Sequence, residues 1–358
     1  MEPKTKEFES SLVFPSVKEL SSVPERYVRK DIEYPTIVSN KDSLPQLPVI
    51  DLSKLLSEEV KGPELEKLDI ACKEWGFFQL INHGHSMEML EDVKIGAREL
   101  FNLSMEEKSK LWQKPGDMEG FGKMVDVYED EPLDWVDLFY IFTLPSHLRK
   151  PHLFPNLPLP FRENLEAYCI KNRELAMNIF VLIGKAIGIN SNDIRESLGE
   201  GGQSIRVNYY PPCPKPENVL GLKAHTDGSA LTILLQNNEV EGLQIKKDGT
   251  WISVKPLPNA FIVSIGDVLE IVTNGIYKST THRAIVNSEK ERLSIAAFYG
   301  PEWIGNISPI SSLVTPETPA LFKTIGVADF YNGLLSPENH GKSYIHDVLM
   351  IQNEDIKN

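Results

Sequence analysis

The sequence predicts an α+β fold with a mainly β core, a jelly roll (double-stranded β-helix) surrounded by N-terminal and C-terminal helices. Helical periods fill much of the chain before residue 200, whereas short β-branched and aromatic runs follow Gly202. No helical period separates these later runs. Strands in series without intervening helices indicate an antiparallel sandwich or barrel rather than βαβ units.

The N-terminal part begins with an irregular extension. Residues 1–45 are polar, and PVIDL then predicts a short strand over Pro48–Leu52. The first long helix has Pro63 in its first turn and ends near Gly76. The apolar run FFQLIN after it predicts a buried strand.

Three further helices are predicted before residue 200. SMEMLEDVKIGARELFNLS has an amphipathic period, and the next helix begins at Ser104, where Glu107 completes a capping box. A long helix over about Phe161–Ile187 carries apolar residues at helical spacing. These helices define a region over 46–200 that packs on the core.

The short β-branched and aromatic runs define a predicted core over 201–302, which is followed by a predicted helical cover over 303–358. Asp248-Gly249 is a strong signal for a two-residue hairpin. The strands PVIDL and FFQLIN are expected to join the core sheets. The predicted core strands are SIRVNYY, ALTILLQ, LQIKK, WISVK, AFIVSIGD, THRAIVN and RLSIAAFY.

Composition restricts the class of function. Lys plus Arg is 37 against Asp plus Glu at 51, so the formal net charge is −14. This charge repels phosphate backbones and anionic lipids, and we expect no nucleic-acid or membrane partner. The 3 cysteines form no CxxC motif, and MEPKTKEFESS has no apolar signal segment. We therefore expect a cytoplasmic protein, and the absence of a long apolar heptad favours a monomer.

A His-x-Asp pair carries the strongest chemical signal. His225 and Asp227 stand at the head of the apolar run ALTILLQ, and in an extended chain they share a face. His282 follows in THRAI, at a distance that fits a strand lying opposite the first. Two histidines and one carboxylate form the triad typical of non-haem Fe(II), although zinc accepts the same ligands. The pair alone is weak evidence, since an aspartate that caps a turn gives the same pattern.

A second pair lies on a later strand. Arg292 and Ser294 alternate in ERLSIAAFYG and therefore share a face. An arginine fork beside a hydroxyl suits the distal carboxylate of a small dicarboxylic acid. The alternative is an exposed arginine that pairs with Glu289 or Glu291.

Two weaker patterns complete the set. Asn208 and Tyr210 in VNYYPPCP also alternate and could donate to the other end of the same acid. Tyrosines in strands are more often half-buried structural residues. Gly266 and Asp267 predict a turn, to which we assign no chemistry.

The motifs NYYPPCP, HTD, THR and RLS, in this order and spacing, resemble the plant 2-oxoglutarate- and Fe(II)-dependent dioxygenases. The resemblance covers nearly the whole chain, from PVIDL and ACKEWGFFQLINHG to GTWISVKPLPNAFIVSIGDVLEIVTNG. FNLSMEEK, EGFG, LDWVDLF and LRKPHLFPNLPLPFR are similar to the senescence-related subgroup, which includes alkaloid O-demethylases acting on thebaine and codeine.

The resemblance implies an enzyme that uses Fe(II), 2-oxoglutarate and O2, with ascorbate as reductant. It would oxidise a C–H bond of a hydrophobic plant specialised metabolite and release succinate and CO2. Hydroxylation of an O- or N-methyl group would release formaldehyde, so demethylation and hydroxylation share one chemistry. The implied iron ligands are His225, Asp227 and His282. The implied 2-oxoglutarate-binding residues are Arg292, Ser294, Tyr210 and Asn208.

Candidate substrate residues follow from position and resemblance. Phe298 lies four residues after Ser294 on the same face, and by resemblance it stacks on a substrate ring. Gly228 and Ser229 directly follow Asp227, so they must lie near the metal. Arg206 stands where some flavonoid-type members carry lysine. The remaining candidates are also explained by core packing: Phe121, Val127, Phe139 and Tyr140.

The leading hypothesis is an oxygenase acting on a hydrophobic metabolite such as an alkaloid. The alternatives are the same chemistry on a flavonoid, steroid or other small molecule, a non-catalytic small-molecule carrier, and a zinc hydrolase. Loss of a ligand or of Arg292 would favour the carrier, and neither is lost. A hydrolase would not need the RLS pair, and no general base is evident beside the triad.

Overall fold

The computed structural model describes residues 22–30, 32, 45–58, 61–114, 116–122, 132–199, 201–336 and 344–351. An eight-stranded sheet and a four-stranded sheet face each other, and helices cover the outer face of the larger sheet. This arrangement confirms the predicted jelly roll with surrounding helices.

The strands in chain order are β1 (Val49–Asp51), β2 (Phe77–Ile81), β3 (Gly120–Gly122), β4 (Asp137–Leu144), β5 (Gly202–Tyr210), β6 (Leu222–His225), β7 (Leu231–Gln236), β8 (Leu243–Lys247), β9 (Thr250–Ser253), β10 (Phe261–Ile265), β11 (His282–Ala284), β12 (Arg292–Gly300), β13 (Asn306–Ile307) and β14 (Ile325–Gly326). The large sheet has the order β1-β2-β10-β7-β12-β5-β4-β3, and the small sheet β6-β11-β8-β9. β1 pairs parallel with β2, and β2 pairs antiparallel with β10, so both early strands join the core as predicted.

The helices in chain order are α1 (Leu52–Leu56), α2 (Lys61–Glu74), α3 (Met87–Asn102), α4 (Met105–Lys110), α5 (Phe161–Ala186), α6 (Asp193–Leu198), α7 (Asp267–Val272) and α8 (Val327–Leu334). Their starts follow local chemistry: Ser86 caps α3, and the predicted Ser104–Glu107 capping box is present at α4. Along the described ranges, no helix is both long and apolar enough to cross a bilayer.

The predicted helical cover over 303–358 is only partly helical. Its described residues contain β13, β14, α8 and a π-helical turn over Tyr344–Leu349, with irregular chain between them. The hairpin between β8 and β9 is as predicted, since Asp248 and Gly249 have φ of 49° and 79°.

Side chains alternate along the strands of the large sheet between the face covered by helices and the face toward the small sheet. Phe139 pairs with both Phe121 and Val207, and all three side chains enter the core beneath the helices. For the pocket candidates Phe121 and Phe139, the structure therefore favours the alternative of core packing. Tyr140 pairs with Arg206 on the opposite, inward face. Val127 lies outside the described residues.

Candidate metal centre and cofactor site

The two candidate histidine ligands are direct partners on neighbouring strands. His225 ends β6, His282 begins β11, and the two are Cα partners in the antiparallel ladder of the small sheet. Their ring centroids are 4.2 Å apart. The expectation of a strand lying opposite the first is corrected to an adjacent strand of the same sheet.

Hydrogen bonds orient both imidazoles. Nδ1 of His225 lies 2.8 Å from the carbonyl oxygen of Lys223, and Nδ1 of His282 lies 3.2 Å from that of Thr280. A carbonyl oxygen only accepts, so Nδ1 is the protonated nitrogen in each ring and Nε2 keeps its lone pair. The two Nε2 atoms lie 3.8 and 3.7 Å from Oδ1 of Asp227. Three ligand atoms therefore converge on one point.

The other carboxylate oxygen of Asp227 is fixed by the large sheet. Thr232 and Ser264 donate to Oδ2 over 2.7 and 3.1 Å. Burial would raise the pKa of Asp227, but His282, His225 and the Thr232 hydroxyl together hold it below its usual value. The group is therefore a carboxylate with Oδ1 directed at the histidines.

The donor set fits Fe(II). Burial, reinforced by the neighbouring His282, lowers the pKa of His225 to about 3, so the ring is neutral at physiological pH. Its Nε2 is buried and has no hydrogen-bond partner among the described residues. A buried orphan acceptor beside a second imidazole and a carboxylate is what a bound cation would satisfy. The three ligand atoms lie within 4.8 Å of one another.

Gly266 and Asp267, which were predicted to make a turn, hold the HTD turn in place. Asp267 begins α7, is fully buried, and accepts a 3.0 Å hydrogen bond from the Thr226 hydroxyl. Its own N–H donates to the carbonyl oxygen of Asp227 over 2.8 Å. A side chain on Gly266 would overlap the carbonyl oxygen of Ser229. The backbone of the HTD turn is thus in direct contact with the backbone at the start of α7.

The chain leading to His282 is held in a similar way. The carboxylate of Glu270, also fully buried, accepts from the Ser279 N–H over 2.7 Å. Thr280 donates to the carbonyl oxygen of Trp75 over 2.8 Å. Gly76 has φ of 63° and lies so close to Lys278 that a Cβ would overlap its carbonyl oxygen.

Arg292 is buried rather than paired with a surface glutamate. Its Nε and Nη2 donate to Oε1 of Gln236 over 3.2 and 3.0 Å. Its guanidinium carbon lies 5.2 Å from the centroid of the Tyr210 ring. Glu291 instead pairs with Arg98 at 2.9 Å. Gln236 and Tyr210 engage part of the arginine fork, and the rest is available to a carboxylate.

One cavity between the two sheets joins the metal ligands to this arginine. Asp227, His282, Arg292 and Ser294 all line it. Among the lining residues, Asp227 is the only carboxylate. The other lining residues are Phe77, Arg206, Asn208, Tyr210, Leu222, Thr232, Leu234, Leu243, Ile262, Ser264, Arg283, Ala284, Ala296 and Phe298. Two of the three predicted metal ligands and all four predicted acid-binding residues thus line one chamber.

Only some of the candidate substrate residues line the cavity. Phe298 lines the cavity, and the guanidinium of Arg206 lies 5.3 Å from its ring centroid. A Cβ on Gly228 would overlap the Leu334 side chain of α8, and the Ser229 hydroxyl forms a 3.1 Å hydrogen bond with that of Thr232. Gly228 and Ser229 therefore belong to the turn that carries Asp227 rather than to the cavity wall.

Sequence reasoning missed the side chains that orient the site. Thr232, Ser264 and Gln236 are inward-facing members of otherwise apolar strands. A hydroxyl or amide at an alternating position of a buried strand is a usable signal, because such a group must find a partner. Thr232 and Ser264 both donate to Asp227 in the turn before β7, and Gln236 accepts from Arg292 on β12, so the sequence alone does not identify these partners.

A larger open cleft of about 990 Å³ lies elsewhere, beside the start of β12. It contains none of the predicted site residues, and four glutamates contribute to its wall: Glu239, Glu241, Glu289 and Glu291. No convergent set of ligand atoms lies there among the described residues.

Comparisons with known families agree with this geometry. A family model described as the 2OG-Fe(II) oxygenase superfamily matches residues 201–301. A second, described as the non-haem dioxygenase in morphine synthesis N-terminal region, matches residues 47–157. Both metal-ligand strands and the arginine strand fall within the first match.

Individual relatives cover almost the whole chain. It is 50% identical over 349 residues to oxoglutarate-dependent flavonoid 7-O-demethylase 1 of Ocimum basilicum, covering 96% of this chain and 92% of that one. It is 51% identical over 350 residues to codeine O-demethylase of Papaver somniferum, covering 95% and 97%. The crystal structure of JOX2 in complex with 2OG, Fe and JA is similar at a TM-score of 0.82 and 35% identity, covering 92% and 95%.

Proposed function

Since the chain belongs to the plant 2-oxoglutarate- and Fe(II)-dependent dioxygenases, in their senescence-related branch, we propose that it is an O-demethylase of a methoxylated polycyclic metabolite. As a member of this family it is an oxidoreductase that uses Fe(II), 2-oxoglutarate and O2. The non-catalytic carrier is thereby set aside. The observation that carries the proposal is the single cavity that joins His282 and Asp227 to Arg292 at one end and Phe298 at the other.

In this proposal His225, Asp227 and His282 hold Fe(II) through two imidazole nitrogens and one carboxylate oxygen. Bound Fe(II) couples the oxidative decarboxylation of 2-oxoglutarate by O2 to the oxidation of a substrate C–H bond. Hydrogen bonds orient both imidazoles and the carboxylate before a metal ion binds. The side chains therefore need little rearrangement when it does.

Arg292 and Ser294 bind the C5 carboxylate of 2-oxoglutarate in this scheme. Gln236 fixes the plane of the Arg292 guanidinium, and Tyr210 hydrogen-bonds to it. Burial excludes water from this end, so a charge-assisted pair with a carboxylate is strong. Asn208 lies opposite Ser294 in the ladder and supplies a side-chain amide to the same cavity.

Phe298 and Arg206 form the substrate end. The ring of Phe298 offers an apolar face for a planar substrate, and Arg206 packs against it. A substrate methoxy group held near the proposed metal ligands would exchange one methyl hydrogen for a hydroxyl, whose oxygen comes from O2. The resulting hemiacetal then breaks into the free hydroxyl compound and formaldehyde, with succinate and CO2 as the other products.

Alkaloids and flavonoids are the two candidate scaffolds, and relatives with similar identity support each. The codeine O-demethylase relative is 51% identical and the flavonoid 7-O-demethylase relative 50%. We further propose a cytoplasmic monomer that uses ascorbate as reductant and binds neither nucleic acid nor membranes. The buried thiols of Cys72, Cys169 and Cys213, which form no disulfide, and the net charge of −14 support this environment.

The test has two stages. Fe(II) and then 2-oxoglutarate are added anaerobically to metal-free protein, and we expect the weak visible charge-transfer band of a chelated keto acid. A panel of O-methylated alkaloids and flavonoids is then screened for equimolar succinate and formaldehyde. Absence of the band would overturn the cofactor roles, whereas succinate with a retained hydroxylated methyl or ring product would replace demethylation by hydroxylation.

Phe298→Ala separates the substrate end from the cofactor end. We expect the substrate KM to rise about 10-fold because the variant loses most of a buried aromatic contact, while the 2-oxoglutarate KM stays constant. Phe139→Ala is the matched control, since Phe139 lies on the other face of the sheet. It should lower stability without a selective effect on the substrate KM.

A further inference from the structure

An ion pair outside the cavity links the N-terminal segment to a metal ligand. Nη2 of Arg29 donates to Oδ1 of Asp134 over 2.8 Å and to the carbonyl oxygen of Pro132 over 2.9 Å. Only 11% of the Arg29 side chain and 18% of the Asp134 side chain are exposed. The pair is therefore shielded enough to hold one geometry, unlike an ordinary surface salt bridge.

Backbone hydrogen bonds seat this segment against the chain on either side. The Arg29 N–H donates to the carbonyl oxygen of Asn218 over 2.9 Å, and the Leu133 N–H donates to that of Arg26 over 2.7 Å. Tyr27 packs edge-on against Trp135 with centroids 5.0 Å apart. The segment Glu25–Lys30 is thus held in a defined position by the residues that precede β4 and β6.

From Asp134 the contacts continue to the metal site. Its carboxylate accepts a hydrogen bond from the backbone N–H of Lys223, and the carbonyl oxygen of Lys223 accepts from Nδ1 of His225 over 2.8 Å. A single residue of β6 therefore connects the Asp134 carboxylate to the ligand imidazole. β6 is the outermost strand of its sheet in the described part of the chain, so no described strand defines the position of its outer side.

The charge on Asp134 depends on Arg29. Burial raises the pKa of Asp134, and the Arg29 guanidinium and the Lys223 N–H oppose this rise. Removing Arg29 would leave a buried carboxylate without its cation, which favours a shift of the carboxylate toward water. Such a shift would pull on the Lys223 peptide and rotate the carbonyl that holds His225.

We propose that Arg29 and Asp134 are positioning residues that fix the imidazole of His225 through the Lys223 peptide, so that the N-terminal segment sets metal affinity. The inference rests on the assignment of His225 as an Fe(II) ligand. Partners that orient a ligating imidazole typically change metal affinity by about 10- to 100-fold. Here the partner carbonyl is itself held by an ion pair from a segment distant in sequence.

The experiment uses Co(II) as a spectroscopic probe of the full-length, metal-free protein. Arg29→Met and Asp134→Leu are each expected to weaken Co(II) binding about 10-fold and to alter its visible ligand-field band. The double variant should bind Co(II) no more weakly than Asp134→Leu, because both residues act through one contact. Arg29→Lys retains the charge without the planar fork and provides a milder variant should Asp134→Leu not fold.

Arg149→Met is the matched control. Arg149 is also largely buried, pairs with Glu166 at 2.7 Å and donates to the carbonyl oxygen of Thr143 over 2.7 Å. It should reduce thermal stability by an amount similar to Arg29→Met but leave Co(II) affinity and the band unchanged. Equal Co(II) affinity in wild type and Arg29→Met, with a lowered melting temperature, would show that the Arg29–Asp134 ion pair only stabilises the fold. Failure of the wild type itself to bind Co(II) would overturn both this role and the metal site.

Discussion

The hydroxyl of Thr232 donates a 2.7 Å hydrogen bond to Oδ2 of Asp227, while Oδ1 of the same carboxylate is the oxygen nearest to both histidines. The two oxygens therefore have separate surroundings: one is anchored to β7, and the other is the proposed metal donor. This division predicts how the site responds when the anchor is removed.

Thr232→Val should weaken Fe(II) or Co(II) binding about 10-fold, because the side chain keeps its volume but no longer orients Asp227. Metal titration of the apo protein measures the effect. Thr143→Val is the control, since Thr143 is equally buried but bonds Gln203 on the helix side of the sheet. A control that loses as much metal affinity as Thr232→Val would refute the specific role.

Arg292→Ala should raise the 2-oxoglutarate KM about 100-fold and change the substrate KM much less. The loss corresponds to about 3 kcal/mol, within the range for a buried charge pair that loses one partner. Steady-state kinetics with each component varied in turn gives both constants. If the two constants stayed unchanged, the assignment of Arg292 to the C5 carboxylate would be wrong.

Gly266→Ala should destabilise the protein by about 2 kcal/mol or more and impair metal binding, because the new methyl group overlaps the carbonyl oxygen of Ser229. Urea unfolding and metal titration measure the two effects. Gly62→Ala is the control: Gly62 is in α2 and has open space around its Cα, so alanine should be neutral or stabilising. A stable Gly266→Ala protein with normal metal affinity would contradict the tight packing of the turn.

We expect protonation of the buried His85 to lower the stability of the fold in mild acid. Burial first, then His83 and Lys171, lower the pKa of His85 to about 4, while Glu174 opposes the shift. The unfolded chain, with a histidine pKa of about 6.5, binds the proton more readily, so the free energy of unfolding falls as pH drops from about 6.5 to about 4. With allowance for partial screening, we expect a contribution of about 2 kcal/mol.

His85→Phe should remove that part of the pH dependence, since the ring lies among the rings of His83, Tyr168 and Phe261 and tolerates an aromatic replacement. Urea unfolding at several pH values, compared with the wild type, isolates the difference. The exposed His147 provides the matched surface substitution, His147→Phe, measured in the same series. A His85→Phe slope equal to the wild-type slope would assign the acid sensitivity to other groups.

Periodicity predicted most of the regular structure because local chemistry specifies it. The helix boundaries at Ser104 and near Gly76 follow from a capping box and a left-handed glycine. β4 was missed because DLFYIFTL is buried on both faces and shows no alternation. β6 was missed because LKAH is short, polar and partly exposed at a sheet edge. The β-branched DVLEIV has a strand-like composition, yet it forms α7 under tertiary packing.

The sequence predicted the site residues that are recognised by residue type. It did not predict the contacts that depend on where side chains point in three dimensions. His225, Asp227, His282, Arg292 and Ser294 were chosen by chemistry and alternation, and the structure places them around one cavity or its metal ligands. Some of their supporting contacts, such as those of Ser264 with Asp227 and of Gln236 with Arg292, join residues far apart in sequence, so no local pattern contains them. The neighbouring aromatic residues Phe139 and Tyr140 could not be told apart for the same reason, since the register of β4 was unknown.

The pairing of His225 with His282 in one ladder has a consequence for the abundance of the protein as well as for its chemistry. An ion bound by both rings connects two strands that are adjacent only in the folded state, so metal binding adds to the free energy of unfolding. At a free metal concentration 100 times the Kd, the gain is about 2.7 kcal/mol. Iron shortage would thus increase the unfolded fraction and expose the chain to proteolysis, so that cells short of iron lose the protein along with its activity.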